Sequence, residues 1–402
     1  TITLDLNGKT LTNVKDHTIL NNGNLTIAGT GKVDNISHAK GALYNKGTVV
    51  VNGGTFDRSK ENGKNKGESG QNSWYTIKNV GTMTINDGAI VQTAGNNASL
   101  GKFSSLVSNG YFNAGDYTNN KGLDQPILTI DGGTFRGGLN TIKNDDRAKL
   151  TINGGTFSNY YQAVVQNHNI AEITGGTFTA ASDANAETYG IYNCGCGAEI
   201  DLGTLTVSGG TFTGATYAVA EVSSQNAAVN ISGGQFAGTK AAIVKSSTSN
   251  ATIAISGGLF SSDPSAYLAA DKGLVTSDQS AFAYKVGDKA TNVKTAVTAG
   301  EAAVKIPAGV SGITEAAVKN AAKAADTTKT LTDTVAASGM TNDPAVVGTK
   351  EAAEATLTAK GITVNSGVTV TVVVQPYLEV NVKSADAGKL TLEISAKYNV
   401  VA

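Results

Sequence analysis

The sequence's best candidate for chemistry is Asn144-Asp145-Asp146-Arg147, a polar stretch just ahead of the apolar run Lys149-Leu150-Thr151-Ile152. Paired carboxylates are what glycoside hydrolysis requires, and neighbouring acids are also the raw material of a calcium site. Aspartate is equally a turn former that terminates strands, the plainer reading of this pair. Cys194 and Cys196 stand in Asn193-Cys194-Gly195-Cys196-Gly197. A C-x-C pair can close a strained disulfide or hold half of a metal site. No second Cys or His cluster in the sequence completes a zinc set, so the pair reads as packed free thiols in a turn. His17, His38 and His168 are scattered, and His168 reads as a turn residue. No phosphate-binding loop and no G-x-S-x-G elbow is found. No cofactor or metal is expected.

These residues are positioned by a repeat. The string apolar-x-Gly-Gly-x-Phe ends at Phe56, Phe135, Phe157, Phe178, Phe212, Phe236 and Phe260, with spacings of 22, 21, 34, 24 and 24 residues from Phe135 onward. Ile85-Asn86-Asp87-Gly88-Ala89-Ile90 reads as a degenerate copy with Ile90 in the Phe position, and the stretch ending at Val33 as another. Each unit also has an apolar run closed by asparagine, at Asn21, Asn45, Asn79, Asn109, Asn144, Asn167 and Asn193. The runs are short and rich in Val, Ile, Thr and Leu, so each unit reads as two clear strands joined through the Gly-Gly turn and a short segment. So short a unit cannot bury its own apolar face, and neighbours must stack. A coil of ~22 residues is one turn of a parallel β-helix, with strands ~4.8 Å apart. Stacking then predicts an internal phenylalanine column and an asparagine amide ladder. The glycine pair supplies positive φ or a close approach that a Cβ would forbid.

Composition narrows the function classes. Formal net charge is −1, with 31 basic and 32 acidic residues. No Lys/Arg run suggests nucleic-acid binding. No apolar run is long enough for a membrane-spanning segment. No secretory leader is visible in the opening residues.

The stretches from Ile2 to Leu11 and from Asn24 to Val33, with Leu43 to Phe56 and the repeated Ile-Ser-Gly-Gly-x-Phe, resemble the β-helix segments of bacterial surface and adhesin-like proteins, which share the pectate-lyase-like superfold. The resemblance covers residue 1 to about 286. It implies a right-handed coil and an extracellular, cell-wall or cell-surface location. It leaves activity open, because the superfold hosts lyases, hydrolases and non-enzymes alike. Relatives that cleave polygalacturonate carry clustered aspartates with Gly-His-Gly and Arg-x-Lys; pectate-lyase-like ones carry an acidic calcium cage and a basic proton abstractor. None of the three histidines here sits in a Gly-His-Gly setting.

The expected fold is therefore mainly β: a right-handed parallel β-helix over residues 1–286, then a small α+β or β-sandwich-like module over 287–402. In the latter, 312–325 and 348–361 read as helices, and the runs flanking Ser384-Ala385-Asp386-Ala387-Gly388 as a hairpin. The chain's strand pattern at its last residues suggests that the natural protein continues.

Recognition is expected on the inserted turns, since loops on a rigid scaffold commonly carry it. Residues 57–75 end in Trp74 and Tyr75; residues 94–125 hold Phe103, Tyr111, Phe112 and Tyr117; Tyr160 and Tyr161 follow Asn159. Aromatics backed by amides and acids suit sugar or protein binding. The ligand-binding candidates are thus Trp74, Tyr75, Tyr111, Tyr117, Asp145, Asp146, Tyr160 and Tyr161, with no catalytic residue assigned. The function favoured is a non-catalytic, adhesin-like surface protein binding a glycan or an extracellular host protein. The alternative is a polysaccharide lyase or glycoside hydrolase, which gains if Asp145 or Asp146 meets another acid in a groove. Threonine-rich strands also raise ice binding, but that needs a regular Thr-x-Thr face on every coil, and the insertions are expected to break the register.

Overall fold

The computed structural model describes residues 1–63, 73–111, 120–181, 186–197, 199–270, 272–275, 277 and 279–288, and the backbone alone of 303–304, 373–386 and 389–401. Up to Phe260 the chain lays down short strands in strict rotation among three sheets. Ile2–Asp5, Thr10–Asn13 and Ile19–Asn21 open the first, second and third sheets, and Asn24–Ala28, Lys32–Asn35 and Leu43–Asn45 follow in the same order. The rotation continues to Thr252–Ile255 and Gly258–Phe260. Each strand pairs in parallel with its counterpart one coil on, as Leu150 with Ala171, Phe157 with Phe178 and Val165 with Ile191. This is a mainly β, β-helix-like coil with three strands per turn, not two. The short segment after the Gly-Gly turn, for example Thr156–Asn159, is itself a strand, too brief for its alternation to stand out in sequence.

The side chains that the repeat predicts to face inward do so. Phe135, Phe157, Phe178, Phe212, Phe236 and Phe260 are fully buried. Their rings stack with centroids 4.3–5.2 Å apart and planes within 11°. Phe56 and Val33 occupy the same column. Ile90 does not: Val91 pairs with Phe56 and Phe135, and Ile90 pairs with Thr55 and Thr134 on the outer face. The turn before it carries one residue more than Asn52-Gly53 does, and a one-residue slip reverses every side chain of a strand.

At the corner between the third and first sheets the asparagines form one column. Nδ2 of Asn21, Asn45, Asn79, Asn109, Asn144 and Asn167 each donates to Oδ1 of the next, at 2.7–2.9 Å. Asn193 closes it by donating to the buried carboxylate of Glu221 at 2.5 Å. Most also donate to a backbone carbonyl of the coil above, as Asn144 does to Ile170 O at 2.9 Å. A polar side chain can therefore be wholly internal here, because its hydrogen bonds are met.

The two glycines of each Gly-Gly turn answer different needs. A Cβ on Gly175 would lie 2.4 Å from Asn153 O of the preceding coil, while Gly176 has φ +104°. The first must lack a side chain because the coils touch; the second because an L residue rarely takes that conformation.

Insertions fall at corners and leave the sheets in register. Thr84 pairs with Val50 and with Thr129 across two of the longest inserts, and Thr129 pairs in turn with Thr151. The expectation that insertions would break the threonine face is thus corrected. The threonine row is interrupted by substitution instead, at Val50, Glu172, Asn230 and Ala254.

By its contacts the chain forms two compact units, Thr1–Tyr267 with Ser277–Lys285, and Leu268–Thr276 with Val286–Ala402. In the second, Val373–Asp386 and Lys389–Val401 pair antiparallel, and Ala303–Val304 pairs with the latter. The expected helices at 312–325 and 348–361 lie outside the described residues.

Candidate functional site

The third sheet and its two flanking corners carry almost all the unusual chemistry. In each of its strands the residue before the ladder asparagine points outward. Going up the coil, that row reads Tyr44, Lys78, Ser108, Lys143, Gln166 and Tyr192.

At the lower end, Trp74 and Tyr75 are half-buried and pack with residues that the sequence did not single out. The Trp74 ring lies 5.0 Å from His17, 6.2 Å from Tyr44 and 5.2 Å from Tyr75. The inserted turn that delivers Trp74 is pinned by a buried ion pair between Arg58 and Glu61. Arg58 also donates to Lys40 O and Ser37 O, at 2.7 and 2.9 Å, and Glu61 accepts from Trp74 N at 3.2 Å. The indole rests on Gly41, where a Cβ would come within 2.9 Å of it.

The middle of the row is a closed polar network. Lys78 Nζ donates to Ser108 Oγ at 2.9 Å and Gly110 O at 2.6 Å, and Ser108 Oγ donates to Asp145 Oδ2 at 2.8 Å. Lys143 Nζ meets Asp145 Oδ1 at 2.8 Å. Tyr75 covers the network, with Lys78 Nζ 5.2 Å from its ring centre. Burial pushes Lys78 down to about 8 against the pull of Asp145, and holds the Tyr75 phenol well above its ordinary range. Asp145 is fully buried and Asp146 nearly so; Asp146 accepts from Asn120 Nδ2 at 2.8 Å and is pushed up to about 6, first by burial, then by the charges of Asp201 and Asp145. These acids do meet other charged groups, but beneath the surface. Tyr111 bridges backbone to backbone with Asp146 at 3.2 Å and is half-buried.

Further up, Tyr189 stacks on Tyr217 at 6.2 Å and meets Tyr192 at 4.8 Å. Glu187 accepts from both phenols of Tyr189 and Tyr217 and pairs with Lys240 at 3.0 Å. Tyr160 and Tyr161 stand half-buried at the corner before the third sheet. The Tyr161 hydroxyl donates to Ala98 O and, at 3.3 Å, to Leu100 O, tying down the neighbouring insert. Tyr117 and Phe112 lie outside the described residues.

One coil above Asp145, at the same corner, His168 lies against Cys194, Cys196 and Asp201. Cys194 Sγ is 3.7 Å from both ring nitrogens, and Asp201 Oδ2 is 3.6 Å from Nδ1. Burial acts to lower the His168 pKa, but Asp201 and the two thiols outweigh it, and the net shift is upward. Both cysteines are free.

The structure therefore gathers Trp74 and Tyr75 with His17 and Tyr44, and Asp145 and Asp146 with Lys78 and Lys143. Register was the unused signal. Every outward residue before a ladder asparagine, and every corner residue after one, stacks on its counterpart. Comparison with protein-family models, with curated proteins and with solved structures found no match. Function has to come from the residues themselves.

Proposed function

We propose that this chain is a non-catalytic, adhesin-like recognition protein, secreted or held at the cell surface, whose third-sheet flank binds a glycan. The coil is taken as right-handed, the hand that parallel crossovers adopt almost without exception. The observation that carries the reading is the placement of half-exposed aromatics along one flank. His17, Tyr44, Trp74 and Tyr75 form one group; Tyr189, Tyr192 and Tyr217 form another. Tyr44 and Tyr192 are five coils apart, on the order of 24 Å at ~4.8 Å per coil. Two platforms at that separation suit an extended chain of sugars, with ring faces for stacking and hydroxyl or amide edges for orientation. Asp145 and Asp146 serve to hold the flank together rather than to meet the ligand. An extracellular host protein is the competing ligand.

The full chain should be screened on a glycan array and against host matrix proteins. A glycan should bind, and Trp74→Ala and Tyr192→Ala should each weaken it about tenfold or more, the ~1.4 kcal/mol or greater of an aromatic hot spot. Binding only to a matrix protein would redirect the proposal. Binding of any partner that neither substitution disturbs would end it.

A further inference from the structure

From the corner above Asp145 we infer a binding site for a thiophilic divalent cation of the zinc type, held by His168, Cys196 and Asp201 with Cys194 as the adjoining thiol. The inference does not depend on the glycan reading. Three coils build the site. Asp145, His168 and Cys194 each follow a ladder asparagine, and their amides donate to the asparagine carbonyl of the coil below, at 2.7, 2.8 and 2.9 Å. Beyond Cys194 the chain makes an inserted turn that folds back on itself, with Gly197 N donating to Asp201 O at 2.9 Å. Gly203 N then donates to His168 O at 2.7 Å. This return brings both Asp201 and Cys196 to the imidazole.

The donor atoms of His168, Cys196 and Asp201 all lie within 4.8 Å of one another. Bonds of about 2.0–2.3 Å to a tetrahedral zinc place neighbouring donors roughly 3.3–3.8 Å apart, so closing the site takes side-chain movement of about 1 Å. A second observation points the same way. Asp201 is fully buried, and among the described residues neither of its carboxylate oxygens has a hydrogen bond. Among the described residues its ion-pair partner is His168 Nδ1, at 3.6 Å. A buried carboxylate so poorly met is costly unless something compensates it. Sulfur and imidazole donors exclude a calcium-type, all-oxygen site and match zinc. Cys196 is the exposed member, so the ion has a way in; Cys194, Asp201 and most of His168 are enclosed. Bound there, the ion ties Cys196 and Asp201 to His168 of the coil beneath them.

The same three groups, with Cys196 as thiolate, His168 as base and Asp201 paired with it, would also suit a thiol nucleophile. One experiment separates the two. The reduced, metal-stripped full chain is titrated with Zn²⁺ and with Co²⁺. The cation site predicts one equivalent bound, thiolate-to-cobalt charge-transfer absorption, and protection of Cys196 from alkylation by Zn²⁺. It also predicts loss of the absorption band in Cys196→Ser and a fall in Zn²⁺ affinity of more than about 100-fold in His168→Gln, beyond what the loss of an outer-shell partner costs. Circular dichroism checks that each variant is folded. No binding, cobalt bound without the thiolate band, or fast alkylation of Cys196 that Zn²⁺ fails to slow would each overturn the site.

Discussion

Two corners of the coil solve the same problem in opposite ways. Between the first and second sheets the chain turns on a glycine pair, and three residues separate Ile130 from Thr134, Ile152 from Thr156, Ile173 from Thr177 and Val207 from Thr211. Between the third and first sheets it turns on an asparagine whose amide points inward, and the connection varies from two residues after Asn21 to the long stretches after Asn109 and Asn193. At the glycine corner the backbone itself touches the coil below, and the longer turn through Asn86-Asp87-Gly88 gains only a single residue. At the asparagine corner the contact is made by a side chain, and whatever follows it is free to vary. Rigidity at one edge and tolerance at the other explain why the acids, the histidine and the cysteines all collect at the second.

Three measurements can break or sharpen this contrast. The strand that follows the glycine corner depends on its aromatic column. Phe157→Ala, which removes a ring stacked on both sides, should cost about 3–5 kcal/mol in denaturant unfolding. A loss under about 1 kcal/mol would mean that the column is ornamental to stability. Next, Asn144→Ala strands Asn109 Nδ2 and Asn167 Oδ1, and should cost about 2–3 kcal/mol, since each unmet buried polar group costs ~1–3. If it proves neutral, the asparagine corner is held by its backbone after all. The smallest effect concerns the outward face beside that corner. Lys78 titrates at about 8 in the folded chain, below its ordinary 10.5. Between those values the unfolded chain holds more protons, so stability should rise with pH across that window. Raising the pH from 7.5 to 9.5 should stabilise the protein by about 1–2 kcal/mol relative to Lys78→Met. A difference that stays flat, or reverses, would show Lys78 to be solvated.

The coil was legible in the sequence because its landmarks recur for physical reasons. Residues such as Phe178 and Asn167 recur where packing and ladder hydrogen bonds favour them. The third strand of each turn was not legible, since three or four residues such as Thr211–Thr213 are too few to show a period. Ile90 was misplaced because a single extra turn residue changes which face it meets. The chemistry of the asparagine corner stayed hidden for another reason. His168 and Cys194 are 26 residues apart, and only stacking the units in register brings them together. Trp74 and Tyr75 were visible as aromatics in an insert, whereas their partners His17 and Tyr44 belong to coils that look unremarkable one at a time.

The amide column also has a polarity. Every Nδ2 faces the later coil and every Oδ1 the earlier one, so the group dipoles align head to tail and present their positive end at Glu221. A carboxylate there accepts and returns nothing, and it terminates the series much as an anion terminates a helix macrodipole. Units duplicated upstream of Glu221 would inherit a donor below and an acceptor above and lengthen the coil without a fault. The same units grafted after it would begin with no donor beneath them. In this protein the number of amide rungs is set by where one acid was placed.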